Sequence, residues 1–311
     1  MKLIIQIPCF NEEKTLPLVL RDLPKKIDGI DTIETLVIND GSSDDTEKIA
    51  RSSAVTHIVS LSKRRGLAHA FKLGLDKSVE LGADIIVNTD GDDQYKGECI
   101  KQLVAPIVAK KAQMVIGCRK FSEIRHFSFM KKILQRVGSH FVRKFSKTDL
   151  PDVTSGFRAF SREAALRLNI FSDYTYTLET IIQAGRNNLH IESVMVQTNP
   201  KLRESRLIKS TFGYVARSVA SVLRIYLMYE PLKSFFMMGL IPIFCGSFLI
   251  VRFLIDHFMR PRGGHVQSLI IAAIAIIMGF GIMMIGLLGD IISANRKLNE
   301  DILYRLKSRQ K

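Results

Sequence analysis

The chain has 311 residues, of which 47% are hydrophobic and 24% charged, with a formal net charge of +15. That length fits one large domain, or one domain with an appendage, and the average composition is globular. No zinc-ligand spacing or nucleic-acid-binding motif accompanies the basic excess, so a nucleic-acid partner is set aside in favour of an anionic membrane surface or an anionic substrate.

The N-terminal run MKLIIQIPCFNEE is too short in its apolar part for a signal peptide and meets acidic residues at once. It reads as a buried first strand over 3–8. Residues 12–23 carry Leu16, Val19, Leu20 and Leu23 at helical spacing. A second strand over 33–39 ends in Asp40-Gly41-Ser42-Ser43, and a helix restarts over 44–51 with Ser43 or Asp44 as cap. Strand 56–61, helix 66–82, strand 84–88, helix 100–109 and strand 113–117 follow. This alternation predicts an α/β domain with a parallel, doubly wound sheet. In such sheets ligands bind beyond the carboxyl ends of the strands. The polar clusters 8–12, 39–43 and 89–94 all fall at such ends.

Residues 127–145, FSFMKKILQRVGSHFVRKF, place apolar side chains on one stripe of a basic helix. The pattern fits a helix lying in a membrane interface, with a helix packed on the sheet as the alternative. Two uncharged stretches then predict transmembrane helices over about 235–257 and 266–289, joined by a tight turn containing Pro261, Gly263 and Gly264. Lys and Arg crowd the outer flanks, whereas the turn has only Arg260 and Arg262. The positive-inside rule therefore puts both termini in the cytosol. The expected layout is a catalytic domain over 1–225, a two-helix membrane hairpin over 226–295 and a basic cytosolic tail over 296–311. The cysteines Cys9, Cys99, Cys118 and Cys245 are scattered, which fits neither a disulfide frame nor a metal site.

Thr89-Asp90-Gly91-Asp92-Asp93-Gln94 carries the strongest chemical signal. Two carboxylates two residues apart at a strand end can share a divalent ion of the kind hard oxygen ligands hold, Mg²⁺ or Mn²⁺. The alternative is a helix cap with a solvated acidic turn. Asp40 can accept hydrogen bonds from a base or ribose, and Gly41 lets the backbone turn close to a ligand. Arg158 can clamp an anionic oxygen through two hydrogen bonds or make a surface ion pair. Lys201–Arg206 reads either as a phosphate-binding loop or as a juxtamembrane patch for anionic membrane lipids.

IPCFNEE, INDGSSDDT, GLAHAFKLGL, TDGDDQY and SGFRAF, in that order, resemble the family 2 inverting glycosyltransferases of GT-A fold. Within them the chain is most similar to the polyprenyl-phosphate sugar transferases, the group of dolichyl-phosphate mannose synthases and bacterial polyisoprenyl-phosphate glucosyltransferases. The resemblance implies that Pro8, Asn11, Glu12 and Asp40 line the base and ribose. Arg65, Gly66 and Ala68 then lie against the nucleotide, with Asp90 and Gly91 completing the donor site. Asp90 and Asp92 match the family's acidic pair, and Gln94 its glutamine beside the metal. Arg158 joins Arg203, Ser205 and Arg206 at the acceptor phosphate, and Glu179 matches a helix-borne acid near the acceptor, or makes a structural hydrogen bond. Asp93 departs from an apolar residue frequent in relatives, and Lys96-Gly97 from Pro-Pro. The implied reaction moves a hexose from a nucleotide diphosphate sugar to a polyprenyl or dolichyl phosphate, with Mg²⁺ or Mn²⁺, in a homo-oligomer that is a tetramer by analogy. Two rivals stand beside it. One is transfer to a hydroxyl of another membrane lipid or lipid-linked saccharide, which needs a general base such as Asp93 or Glu179. The other is an inactive nucleotide-binding scaffold.

Overall fold

The computed structural model describes residues 1–119, 150–171, 176–200, 220, 223–224, 227–259 and 266–309. The predicted interfacial helix 127–145, the loop bearing Arg203, Ser205 and Arg206, and the turn 260–265 lie outside the described residues. Contacts divide the chain into two units: Met1–Arg217 with Leu303–Lys311, and Ser218–Ile302.

The first unit is built on a seven-stranded sheet: β1 (Lys2–Cys9), β2 (Thr32–Asn39), β3 (His57–Ser60), β4 (Ile85–Asn88), β5 (Met114–Arg119), β6 (Arg158–Ser161) and β7 (Ile191–Val196). The spatial order is β3-β2-β1-β4-β6-β5-β7. Strand β1 is central and its last seven residues are all buried. An apolar run without alternation is what a strand covered on both faces requires. Leu3, Ile5 and Ile7 pack with Leu16, Val37, Val87 and Leu103 in one core. Each such side chain contributes about 1.5–3 kcal/mol by leaving water. The helices are α1 (Leu16–Asp22), α2 (Thr46–Ser52), α3 (Leu67–Glu80), α4 (Ile100–Val108), α5 (Arg162–Arg167) and α6 (Thr177–Arg186).

The expected all-parallel sheet needs one correction. Strand β6 runs antiparallel to both β4 and β5. Three of its four residues lie inside the SGFRAF motif, too short a run to announce a strand by periodicity. The first helix also starts four residues late. Residues 12–15 form a turn in which the Glu12 carbonyl accepts from Thr15 and Leu16, and Pro17 opens the helix.

The second unit contains α7 (Pro231–Met259) and most of α8 (Val266–Arg309). Both helices are long and apolar enough to cross a membrane, with mean hydropathy 2.2 and 2.7 in their most apolar windows. They pack antiparallel: Gly246 lies on Ala272 and Ile276, Gly239 on Gly279, and Gly286 on Phe235. A Cβ on Gly279 would sit 2.6 Å from the Gly239 carbonyl oxygen, so the backbones meet directly. Ala272, Gly279, Gly286 and Ser293, all buried, recur every seven residues along α8. The stretch expected as a basic cytosolic tail, 296–311, is helical as far as Arg309. With no Gly or Pro after Gly289, α8 continues to Arg309. Its end belongs to the first unit, where Lys307 Nζ lies 2.6 Å from Asp76 Oδ1 and Arg167 stacks over the Tyr304 ring at 4.6 Å.

Candidate functional site

Strands β2, β1 and β4 are adjacent and parallel, so their carboxyl ends open onto one rim. The loops that leave them are interlocked. Asn11, in the left-handed region at φ 56°, donates its amide to Ser42 Oγ at 3.0 Å and accepts from the Ser43 amide at 2.8 Å. Asparagine tolerates that conformation better than most residues. The Glu12 amide donates to Thr46 Oγ1 at 2.7 Å, and the buried Glu12 carboxylate accepts from Thr15 Oγ1 at 2.8 Å. Pro8 is buried in β1, paired with Ile38.

Asp40, expected at the base and ribose, holds a neighbouring loop. Its two carboxylate oxygens accept the amides of Arg65 and Gly66, at 2.7 and 2.8 Å. It is therefore the anchor of loop 63–66. Gly41, at φ 65°, lets that loop come close, since a Cβ there would stand 2.5 Å from the Lys63 carbonyl carbon. Arg65 is exposed on the loop and Gly66 leads into α3. Ala68, expected against the nucleotide, is fully buried inside the domain and offers no surface to a ligand.

The acidic turn lies across the end of β1. A Cβ on Gly91 would meet Cys9 Sγ at 2.9 Å and Glu12 Cγ at 3.3 Å. Asp92 Oδ1 accepts the Gln94 amide at 3.2 Å. Removal from water, followed by the charge of Asp92, pushes the Asp90 carboxyl well above the usual carboxylate range, and Arg119 pulls it partly back. Asp93 is left-handed at φ 58°, and burial and the neighbouring Asp22 raise its carboxyl. Its carbonyl accepts Asn199 Nδ2 at 3.1 Å, while the Asn199 amide donates to the Gln94 carbonyl at 2.9 Å. The turn is thus clasped by the segment that leads to Arg203 and Arg206. Gly97 packs so tightly on the end of α1 that a Cβ would collide with the Asp22 carbonyl. The Gly97 amide donates to the Asp22 carboxylate, a bond that proline cannot make.

Sequence reasoning missed Arg119 and Asp152. Arg119 ends β5, and its Nε and Nη2 reach the two carboxylate oxygens of buried Asp152 at 2.7 and 3.1 Å, with Thr154 Oγ1 at 3.1 Å. The available signal was a charged residue at a strand's carboxyl end, the same signal that marked the acidic turn. Gly156 lies against Asp90, where a Cβ would come within 3.1 Å of Oδ2. A buried polar chain holds it there. Gln6 Nε2 donates to Asn88 Oδ1 at 2.9 Å, and Asn88 Nδ2 donates to the Gly156 carbonyl at 2.8 Å and Tyr176 Oη at 3.0 Å.

Two expected ligand contacts become structural ones. Arg158 is fully buried. Its guanidinium donates to the carbonyls of Ser155 (2.7 Å), Thr177 (2.7 Å) and Val153 (3.0 Å) and to Thr180 Oγ1 (2.6 Å). With those donors committed it ties loop 153–155 to the start of α6 and is no clamp for an acceptor phosphate. Buried Glu179 accepts the Phe171 amide at 3.1 Å and Gln183 Nε2 at 3.4 Å, which is the structural of its two readings.

Among the described residues no group of three His, Cys, Asp or Glu is placed to hold a metal. The rim offers a pair, Asp90 and Asp92, and the electrostatic strain on Asp90 is of the kind a cation relieves. A pair of carboxylates with phosphate oxygens and water suits Mg²⁺ or Mn²⁺.

Residues 4–168 match the family described as Glycosyl transferase family 2. An undecaprenyl-phosphate mannosyltransferase of Micrococcus luteus is 25% identical, over 72% of this chain and 93% of its own length. A UDP-N-acetylglucosamine–dolichyl-phosphate N-acetylglucosaminyltransferase of Methanococcus voltae is 29% identical, over 62% of this chain and 83% of its own. Among solved structures, glucosyl-3-phosphoglycerate synthase of Mycobacterium tuberculosis, in complex with Mn²⁺, UDP and glucosyl-3-phosphoglycerate, superposes with a TM-score of 0.57 at 22% identity, covering 71% of this chain and 78% of that one. That likeness is one of fold.

Proposed function

Because the chain belongs to glycosyltransferase family 2 and is a glycosyltransferase, we propose that it moves a hexose from a nucleotide diphosphate sugar to a polyprenyl or dolichyl phosphate at the cytosolic membrane face. The observation that carries the reading is the acidic pair Asp90 and Asp92 at the confluence of three strand ends, with the Asp152-held Arg119 acting electrostatically on Asp90. The names of the relatives supply the acceptor class.

The chemistry follows from charge. A phosphate monoester is anionic near neutral pH, so its oxygen can attack the anomeric carbon without a protein base. One C–O bond forms as the bond to the diphosphate breaks, and a single in-line displacement inverts the centre. A divalent ion, Mg²⁺ or Mn²⁺, held by Asp90, Asp92 and Gln94, would neutralise the departing diphosphate. The interlocked loops at Asn11 and Ser42–Ser43, with the Asp40-anchored loop at Arg65 and Gly66, form the wall for the nucleotide. Arg119 holds a fixed positive charge where the donor and acceptor anions meet, and Asp152 keeps it from swinging away. Arg203, Ser205 and Arg206 add further donors for the lipid phosphate. Against the hydroxyl-acceptor rival, Glu179, one of its two candidate bases, is buried and accepts the Phe171 amide.

Purified protein with Mn²⁺ and a panel of nucleotide sugars is expected to glycosylate a short polyprenyl phosphate at least about 100-fold faster than the matching polyprenol or diacylglycerol, because only the phosphate meets the arginines. The lipid product is read by mass. Equal turnover of alcohol and phosphate would overturn the acceptor assignment.

Helices α7 and α8 are read as crossing the membrane, with the catalytic domain and both termini cytosolic. A cysteine at position 262 should react with an impermeant maleimide on intact cells, and one at position 311 only after permeabilisation. Protection of both positions on intact cells would refute this topology. By analogy the enzyme acts as a homo-oligomer, which light scattering in detergent would test; a strictly monomeric active species excludes it.

A further inference from the structure

Helix α8 has two faces with a seven-residue repeat. On one, Ala272, Gly279 and Gly286 meet α7. On the opposite one, Ile277, Met284, Ile291 and Leu298 recur every seven residues, and Leu288, Asn295 and Ile302 each stand four residues further on. All seven are exposed and none is charged. Lipid accounts for the first part of this face only. The apolar run 266–289 makes about 36 Å of helix, already more than the ~30 Å hydrocarbon core of a bilayer. Leu298 and Ile302 come about 14 and 20 Å beyond it at 1.5 Å per residue. They stand past Asp290 and among Arg296, Lys297, Glu300 and Asp301, yet they are 64% and 54% exposed. The next place in the row is Arg305, and there α8 has already passed from the second unit to the first.

We propose that this face of α8 docks a second copy of the chain, the two α8 helices lying side by side as a parallel coiled coil that reaches out of the membrane as far as Ile302. The inference rests on α8 crossing the membrane and on the enzyme being oligomeric, and it names the surface that joins the copies. Copies inserted in one sense run parallel, and a two-fold axis along the membrane normal sets each row against itself. Alternating steps of four and three residues keep such a face on its partner. Leu298 followed by β-branched Ile302 is the combination that favours two strands, and Asn295 occupies the place where a single asparagine fixes the register. Arg305 set against its own copy would repel, so the pairing ends at Ile302. Tyr304 and Lys307 lie on the other side of the helix and keep their contacts with Arg167 and Asp76.

Cysteine cross-linking of the full-length protein in native membranes tests this. Cys245→Ser removes the exposed native thiol, since Cys9, Cys99 and Cys118 are buried. In that background Ile291→Cys, Leu298→Cys and Ile302→Cys should each give an oxidised dimer at least about tenfold faster than Lys297→Cys, which is equally exposed but turned away, because a disulfide needs Cα atoms within roughly 7 Å. Leu298→Asp combined with Ile302→Asp should lower the mass seen by light scattering in detergent and leave the melt of the first unit in place. Equal rates at 297 and 298 would mean random collision and overturn the proposal. An oligomer by light scattering that forms no cross-link at 291, 298 or 302 would place the joint on another face, with lipid or another part of the chain over this one. A wild type that is monomeric in both measurements would sink the oligomer reading itself, and labelling at positions 262 and 311 reports separately on whether α8 crosses.

Discussion

Asp92→Ala is expected to lower kcat/KM by about 10³-fold or more while leaving the melting temperature within a degree or two of wild type. Asp92 is half-buried at the rim, and the hydrogen bond it accepts comes from the Gln94 amide two residues on. Losing that local bond costs about 1 kcal/mol. Losing a hard ligand beside the departing diphosphate removes several kcal/mol of charge stabilisation that exists only as the bond breaks. The second effect exceeds the first and appears in rate instead of stability. Nucleotide affinity measured with and without Mn²⁺ provides an independent reading: the wild type should bind more tightly with the ion, and Asp92→Ala should lose that gain. Asp90→Asn should also be severely impaired. An Asp92→Ala enzyme with near wild-type turnover would falsify the metal assignment.

Arg158→Ala is expected to fail in a different way, by losing about 3–5 kcal/mol of folding stability. The side chain is fully buried, and its removal takes the Arg158 donors from the carbonyls of Val153 and Ser155, and one donor from that of Thr177, which keeps Thr180 Oγ1. Each buried group left unpaired costs about 1–3 kcal/mol. Arg158→Lys should rescue little, since one ammonium cannot span acceptors that a planar fork reaches from three nitrogens. Thermal melts and expression yield in detergent report the loss. A phosphate clamp would behave oppositely: Arg158→Ala would fold normally and raise KM for the lipid phosphate alone. That result would return Arg158 to the acceptor site.

Arg158 also marks where reading the sequence stops working. The rim was legible because strand ends and turn residues announce themselves locally: Asn39-Asp40-Gly41, Thr89-Asp90-Gly91-Asp92 and Pro8 to Glu12 each close an apolar run. Their convergence follows from parallel neighbours in one sheet. The direction of β6 was not legible, because antiparallel insertion between β4 and β5 is decided by long-range pairing. Whether an arginine faces ligand or core depends on that pairing too. Asp40 illustrates the same limit. Its residue type suits a ribose hydroxyl, yet the groups that engage it, the amides of Arg65 and Gly66, lie more than twenty residues away. The apolar spans were legible from length alone. The continuation of α8 past its most apolar stretch was hidden by its charge, because a helix of mixed polarity has no stripe to display until a partner defines one.

The rim glycines carry a consequence for how this protein can diversify. At Gly41, Gly91 and Gly156 the nearest atoms to an added Cβ include backbone or the Asp90 carboxylate itself. No side chain there can be gained without moving the machinery. Variation in what the enzyme accepts must therefore accumulate at positions whose side chains already reach outward, such as Ser43, Lys63 and Arg64, all exposed. The glycines fix the framework, and the exposed side chains on the loops it holds still are the positions where change costs the framework nothing.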